Sequence, residues 1–257
     1  RGAGAAGAGG VGAPARPGVV RVPGGRRGPG GAGQYVLIPY LKYQGIRTID
    51  GIFLSHGDQD HINAVRELFS DSKGIRLKVL YLPQSEESLP KPLEEIRALA
   101  QEAGCEVEYL SQGKGWAQGD FRLTCLWPDS DYGGGGNAGS ACYLLEEKDF
   151  RILLTGDVEG EGERQLTAVL RTMSLSGLDI LKVAHHGSRY STSDAFLQAV
   201  TPRLALISAG RDNSYGHPHE ETLGRLEKMG CRFLQTVDGG AIIVRCIHHQ
   251  IIVGKFR

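Results

Sequence analysis

From Gln34 onward, apolar runs of strand length alternate with segments whose apolar residues recur at helical spacing. Strands are predicted at 49–55, 78–82, 106–110, 121–127, 141–146, 150–155, 180–184 and 204–208, with three more at 233–236, 241–246 and 250–253. Helices are predicted over 62–70, 92–103, 161–171, 193–199 and 220–229. A further helix at 35–45 has Pro39 in its first turn and Gly45 at its end. Such alternation predicts a layered α/β protein with mixed sheets. The hairpin-like ends lack the strict βα period of a TIM barrel, and no solenoid repeat is present.

Residues 1–33 break the pattern. They comprise only Gly, Ala, Arg, Pro and Val, with 13 glycines, and bury too little to offset their backbone entropy. Disorder is expected there. These residue types share GC-rich codons, so translation out of frame accounts for the segment equally well. Domain organisation is therefore expected as 1–33, low complexity, followed by one globular domain, 34–257.

Charge sharpens this division. Lysine plus arginine and aspartate plus glutamate each number 29, which excludes a globally basic nucleic-acid binder. Seven of the basic residues precede Asp50 and no acidic residue does, so the remainder carries 22 basic against 29 acidic residues. No apolar run is long enough to span a membrane, and no signal peptide is visible. The five cysteines form no CxxC pair, and are expected to be buried thiols that leave the redox compartment open.

Candidate chemistry lies just after predicted strands, where open sheets place their sites. Ser55-His56-Gly57-Asp58-Gln59-Asp60-His61 sets two imidazoles and two carboxylates at one strand end. Adjacent carboxylates repel each other unless a cation is present, although one Asp is also a candidate N-cap for the next helix. Leu153-Leu154-Thr155-Gly156-Asp157 ends another strand in Gly-Asp, and His185-His186-Gly187-Ser188 follows a third. Tyr215-Gly216-His217-Pro218-His219 sits in a Gly/Pro-bounded loop, whereas His248 and His249 are expected at the surface. Lys182, Arg189 and Arg211 flank these loops, as phosphate partners or as solvated charges. Together the clusters predict a metal centre assembled by folding.

The segment SHGDQDH resembles the HxHxDH signature of the metallo-β-lactamase superfamily, with Asp58 in the second-histidine place. The SHxDxDH form, the LLTGD strand, the HHGS turn and the YGHP loop, in this order, resemble the C-terminal domain of ComEC-type competence proteins. Asn137-Ala138-Gly139-Ser140 is similar to that family's NxxS element. The resemblance covers residues 35–257 and implies an αββα sandwich of two mixed sheets. The family's opening GQGD-like strand and IDGG-like turn are missing, so the domain is expected to be truncated at its N-terminus.

The resemblance also implies a site. His56 and Asp58 would hold one divalent ion, Asp60 and His61 a second, and Asp157 would bridge them, with either His185 or His186 completing the second site. His217 is the candidate for protonating the leaving oxygen or binding the scissile phosphate, and Asp60 and His217 are the candidate catalytic pair. Asn137, Ser140, Ser188 and Asn213 are candidates for contacting phosphate or orienting ligands. Asp58 makes the donor set oxygen-rich, which favours Mn²⁺, with Zn²⁺ possible. The implied activity is two-metal phosphodiester hydrolysis, with single-stranded DNA as substrate during DNA uptake. The implied partner is a membrane channel of the same protein, which places the domain outside the cytoplasm or at the membrane. A stand-alone hydrolase of a small phosphoester or other ester, in the cytoplasm, is the alternative, and an inactive remnant a third.

Overall fold

The computed structural model describes residues 31–71, 74–83, 89–173, 175, 177–247 and 250–256, together with strand backbone at 4–7, 9–12 and 19–22. A seven-stranded mixed sheet forms its centre. In it β7 (Gly115–Gln118), β8 (Phe121–Trp127), β9 (Cys142–Glu147) and β10 (Phe150–Leu154) run antiparallel, and β11 (Ile180–Lys182), β12 (Leu204–Ile207) and β13 (Arg232–Gln235) continue parallel to β10. A parallel three-stranded sheet joins β4 (Thr48–Phe53), β5 (Arg76–Pro83) and β6 (Glu106–Leu110). The third sheet is antiparallel and contains β14 (Ala241–Ile247) and β15 (Gln250–Phe256).

β1 (Gly4–Gly7), β2 (Gly9–Gly12) and β3 (Val19–Val22) extend this third sheet from the edge of β14. Composition alone points to disorder there, but the free edge of β14 offers a ladder of backbone groups that even a Gly-rich chain can pair with. The rest of 1–30 lies outside the described residues, as do His248 and His249.

Side-chain alternation builds four layers. Along β9 and β12, Cys142, Leu144, Ala205 and Ile207 face a core with Leu166 and Leu170 of α4 (Gly160–Thr172), Phe196 of α5 (Asp194–Val200) and Leu226 of α6 (Glu220–Lys228). Their neighbours Tyr143, Leu145 and Leu206 turn the other way and meet Phe53, Tyr81, Ile242 and Val244 between the sheets. The far side of β4–β5 packs Ile52, Leu80 and Leu82 against α1 (Ile38–Tyr43), α2 (Gln59–Asp71) and α3 (Lys91–Glu102) through Leu41, Ile62 and Ile96. Both faces of β9, β11 and β12 are thus buried, which accounts for their near-continuous apolar runs.

The layers are those of the αββα expectation, with the first sheet divided into two ladders. Beyond β1–β3, two further elements escaped the sequence pattern. Strand β7 is mostly exposed and carries little apolar signal, and a short helix α7 (Thr236–Gly239) follows β13. The sheets are stitched together at the strand ends: Ala141 N–H donates to the Ser55 carbonyl (2.7 Å) and the Tyr143 hydroxyl to the Leu54 carbonyl (2.9 Å). No helix among the described residues is long and apolar enough to cross a membrane. The described cysteine side chains, Cys105, Cys125, Cys142 and Cys231, are buried free thiols, as expected.

Candidate metal centre

Strand β4 ends in a buried Ser55-His56 step, and the chain then turns through Gly57 and Asp58 into α2. The Asp58 carbonyl accepts from His61 N–H (2.9 Å) and Ile62 N–H (3.1 Å), so Asp58 takes the N-cap place while its side chain stays free to face His56. Asp60 lies in the first helical turn, where the helix dipole favours a carboxylate. Across the gap, β10 delivers Asp157 through Gly156, which has φ +49° and no room for a Cβ beside the Ser140 hydroxyl. Strand β11 leads into the turn Ala184–Gly187, where His185 and His186 have φ of 45° and 52°.

These segments converge on the Asp157 carboxylate. Its Oδ2 lies 3.2 Å from His61 Nε2, 3.4 Å from His186 Nε2 and 4.0 Å from His185 Nε2. Asp60 Oδ2 is 3.0 Å from His186 Nε2 and 3.6 Å from His61 Nε2. One donor atom from each of Asp60, His61, Asp157 and His186 falls within 4.8 Å of all the others. His56 Nε2 faces Asp58 Oδ2 at 3.5 Å on the adjoining side.

The imidazoles are held from behind. Ser55 Oγ is 3.1 Å from Nδ1 of both His56 and His61, and Ser140 Oγ is 3.2 Å from His56 Nδ1 while accepting from Asp157 N–H at 2.9 Å. His186 Nδ1 meets the Ser208 carbonyl at 2.6 Å. His185 instead turns its Nδ1 to Glu159 (2.8 Å), which also accepts from Asn137 (3.0 Å). With every Nδ1 engaged, Nε2 is the ring atom left to face the cluster. Nε2 of His56 and His61 and Oδ1 of Asp157 are buried without a hydrogen-bond partner. Such atoms are costly to bury unsatisfied, and a divalent cation satisfies all three.

The electrostatics fit the same occupant. Burial alone would raise the Asp157 carboxyl, but His61 and His186 hold it well below the usual range. Burial opposes ionisation of Asp60 too, and the His186 hydrogen bond with the neighbouring imidazoles brings it to about 2. The hydrogen bond from His56 lowers Asp58. Burial pushes His61 down and keeps it neutral. His186 moves the other way, to about 9, because the Asp157 and Asp60 carboxylates outweigh its burial. Burial and the charges of His185, His186 and His219 bring His217 down to about 4.

The remaining candidates are placed as follows. His217 reaches the cluster, with its ring centroid 5.3 Å from His185 and 6.2 Å from His186. Asn137 braces Glu159 and His185. Ser140 is fully buried behind His56, so it orients ligands and has no path to a phosphate. Asn213 departs from a phosphate-contacting role: its amide donates to the Gly210 and His217 carbonyls and accepts from His217 N–H, fixing the loop. Ser188 is buried in its own turn, accepting from Tyr190 N–H, and stands outside the donor cluster.

Of the flanking cations only Lys182 departs from expectation, whereas Arg189 and Arg211 lie at the surface. Lys182 is buried, its Nζ donating to the Val183 (3.1 Å) and Gly156 (3.4 Å) carbonyls behind the two ligand loops, and burial lowers its pKa. Arg189 pairs with Glu221 at 3.0 Å, and Arg211 donates to the Val237 carbonyl at 3.2 Å. Ser55, Glu159 and Ser208 carry no sequence signal of their own. Only the two-residue spacing of Glu159 from Asp157 hints at a shared side.

Sheets packed between helices, with His and Asp donors gathered at the strand ends, define a class of fold and site. Residues 28–211 match the profile of the metallo-β-lactamase superfamily, and the chain belongs to it. It is a metallo-β-lactamase-fold hydrolase with a candidate centre for divalent metal. It is 36% identical over 217 residues to ComE operon protein 3 of Bacillus subtilis, covering 84% of this chain and 27% of that protein. It is 25% identical to Recombination protein 2 of Haemophilus influenzae, over 89% of this chain and 26% of that one. The chain thus spans about a quarter of the length of these relatives. Among solved structures, the metallo-β-lactamase fold protein YhfI of Bacillus subtilis shares the fold at a TM-score of 0.56 and 12% identity, over 93% of this chain and 92% of that one.

Proposed function

We propose that this chain is a metal-dependent phosphodiesterase that cleaves single-stranded DNA. The observation that carries the reading is the set Asp60, His61, Asp157 and His186, whose donors crowd within 4.8 Å while Nε2 of His61 and Oδ1 of Asp157, both buried, stay unpartnered. In this reading those four residues hold one divalent ion, and His56 and Asp58, with Asp157, hold the second. Bound divalent ions supply Lewis-acid stabilisation of phosphoryl charge and a water acidic enough to be ionised near neutral pH. Oxygen donors from three aspartates favour Mn²⁺, with Zn²⁺ the alternative.

The chain's own groups do the rest. His217, neutral at pH 7 and beside His185 and His186, donates its one ring N–H to a phosphate oxygen, and its lowered pKa speaks against the role of proton donor to the leaving oxygen. Glu159 and Asn137 fix His185 at the pocket edge, where its Nε2 faces the Asp157 side. DNA as substrate is supported by the similarity to Recombination protein 2 and, at 29% identity, to Competence protein ComA of Neisseria gonorrhoeae. The ComEC-type resemblance of the sequence motifs is the ground for a membrane channel as the partner that presents the strand and for a location at the membrane.

The test is cleavage of a fluorescent single-stranded oligonucleotide with added Mn²⁺, against Asp60→Ala and Asp157→Ala. Metal-dependent cleavage lost in both variants is expected. An intact oligonucleotide alongside turnover of small phosphoesters would replace the substrate with a small ester. No turnover of either would remove the enzymatic reading.

A further inference from the structure

The described cations that flank the centre are few, and the two at the surface are already bonded to groups of the protein. Lys182 is buried, Arg189 is paired with Glu221, and the Arg211 guanidinium is engaged by a backbone carbonyl. Asp58 and Asp60 face solvent there, with side chains 60% and 62% exposed. What the rim does offer is an aromatic ring. Tyr215 is 75% exposed although it sits in the loop that carries His217. Tyr35, Tyr43 and Tyr190 are as exposed, so exposure alone does not single Tyr215 out; its place in the loop beside the centre does.

Its orientation supplies the second observation. The Tyr215 ring lies 22° from parallel with that of His217, centroids 5.7 Å apart, and His217 is in turn 22° from parallel with His186 at 6.2 Å. The three rings form a file running from solvent to the Asp60–His186 pair. The loop is fixed by the three Asn213 hydrogen bonds and by His219 N–H donating to the Gly187 carbonyl at 2.9 Å, so the file is held in place before any ligand arrives.

We propose that Tyr215 is a base-stacking platform that seats one unpaired base of single-stranded DNA and directs the adjoining backbone towards the metal centre. This rests on the phosphodiesterase reading and adds to it the means of selecting single strands. Every base has a π-face, so stacking is tolerant of sequence, and a duplex hides those faces within its own stack. Recognition by a ring rather than by a basic groove also makes binding less steep in salt than counterion release by many lysines would.

The experiment measures binding of a fluorescent 12-residue oligodeoxyadenylate by anisotropy with Ca²⁺, and its cleavage with Mn²⁺. An abasic oligonucleotide of equal length and a duplex serve as comparisons. Tyr215→Ala is expected to weaken binding of the single strand by about 5- to 150-fold, the range of one base–aromatic stack. Tyr215→Phe keeps the ring and stays within about twofold of wild type. Tyr43→Ala, which removes an exposed ring on α1 away from the site loops, leaves affinity unchanged. The abasic strand is expected to bind wild type and Tyr215→Ala alike. The proposal is overturned if Tyr215→Ala binds the single strand as wild type does, if the abasic strand loses affinity equally, if the duplex binds as tightly, or if wild type binds no strand. Binding that depends on Tyr215 without cleavage in Mn²⁺ would sink the phosphodiesterase reading and leave the platform standing. Cleavage indifferent to Tyr215 would do the reverse.

Discussion

Replacing Ser55 by alanine removes one oxygen and disturbs two histidines. Ser55 Oγ sits 3.1 Å from Nδ1 of both His56 and His61 in a position only 5% exposed. For an imidazole to offer Nε2 to a metal, its proton must reside on Nδ1, and here both protons point at this one hydroxyl. His56 keeps the Ser140 hydroxyl at 3.2 Å after the change. His61 is left to move its proton to Nε2 and donate to Asp157 Oδ2 at 3.2 Å, which blocks the lone pair the ion needs. Loss of such a supporting hydrogen bond costs ~10- to 100-fold in metal affinity. The stranded N–H costs ~1–3 kcal/mol if it stays in place. Titration calorimetry with Mn²⁺ on wild type and Ser55→Ala measures the first, and thermal melting of the metal-free proteins the second. Long-range ¹⁵N–¹H spectra report which His61 nitrogen carries the proton. An Mn²⁺ affinity within twofold of wild type, with the proton still on Nδ1 of His61, would refute the reasoning.

Three further outcomes follow from the same geometry. Added Mn²⁺ at about 100 times its Kd is expected to stabilise wild type by ~2.7 kcal/mol and to leave Asp157→Asn unmoved, read as the shift in melting temperature. In the metal-free protein His186 titrates at about 9 when folded against an ordinary ~6.5, so its ion pairs stabilise fully below about pH 6.5 and fade as pH climbs through 9. Melting between pH 6 and 9.5 should show that decline, and His186→Asn should flatten it. Gly187→Ala forces a side chain into φ +87°, with its Cβ 2.5 Å from Pro218, and is expected to cost ~1–3 kcal/mol by chemical denaturation while lowering Mn²⁺-dependent turnover through displacement of the His217 loop.

Much of this molecule was legible in its sequence because its chemistry is clustered and its strands are apolar on both faces. His56, Asp58, Asp60 and His61, close together after one strand, marked the end of the sheet where the candidate cluster gathers. Other features were hidden for identifiable reasons. Lys182 is polar in type, and its burial follows from where β11 lies in the sheet, which a linear pattern does not convey. The choice between His185 and His186 depends on two consecutive left-handed residues, a conformation their side chains disfavour and no spacing rule predicts. Ser55 is a common residue whose place behind two imidazoles arises only once α2 folds His61 back beside His56. In residues 1–33 composition reports low burial, yet strand pairing is decided by the neighbouring edge of β14.

The paired histidines of the Ala184–Gly187 turn are not spares for one another. Because both backbones sit on the unfavoured side of the dihedral map, the turn throws adjacent rings apart, one to the Asp60 and Asp157 oxygens and the other to Glu159. A protein that loses His186 keeps a neighbour whose Nε2 stands 4.0 Å from Asp157 Oδ2 but whose Nδ1 is tied to Glu159, so it meets the cluster from another side. Two identical letters side by side encode two separate jobs, and the strain of that corner is what keeps them distinct.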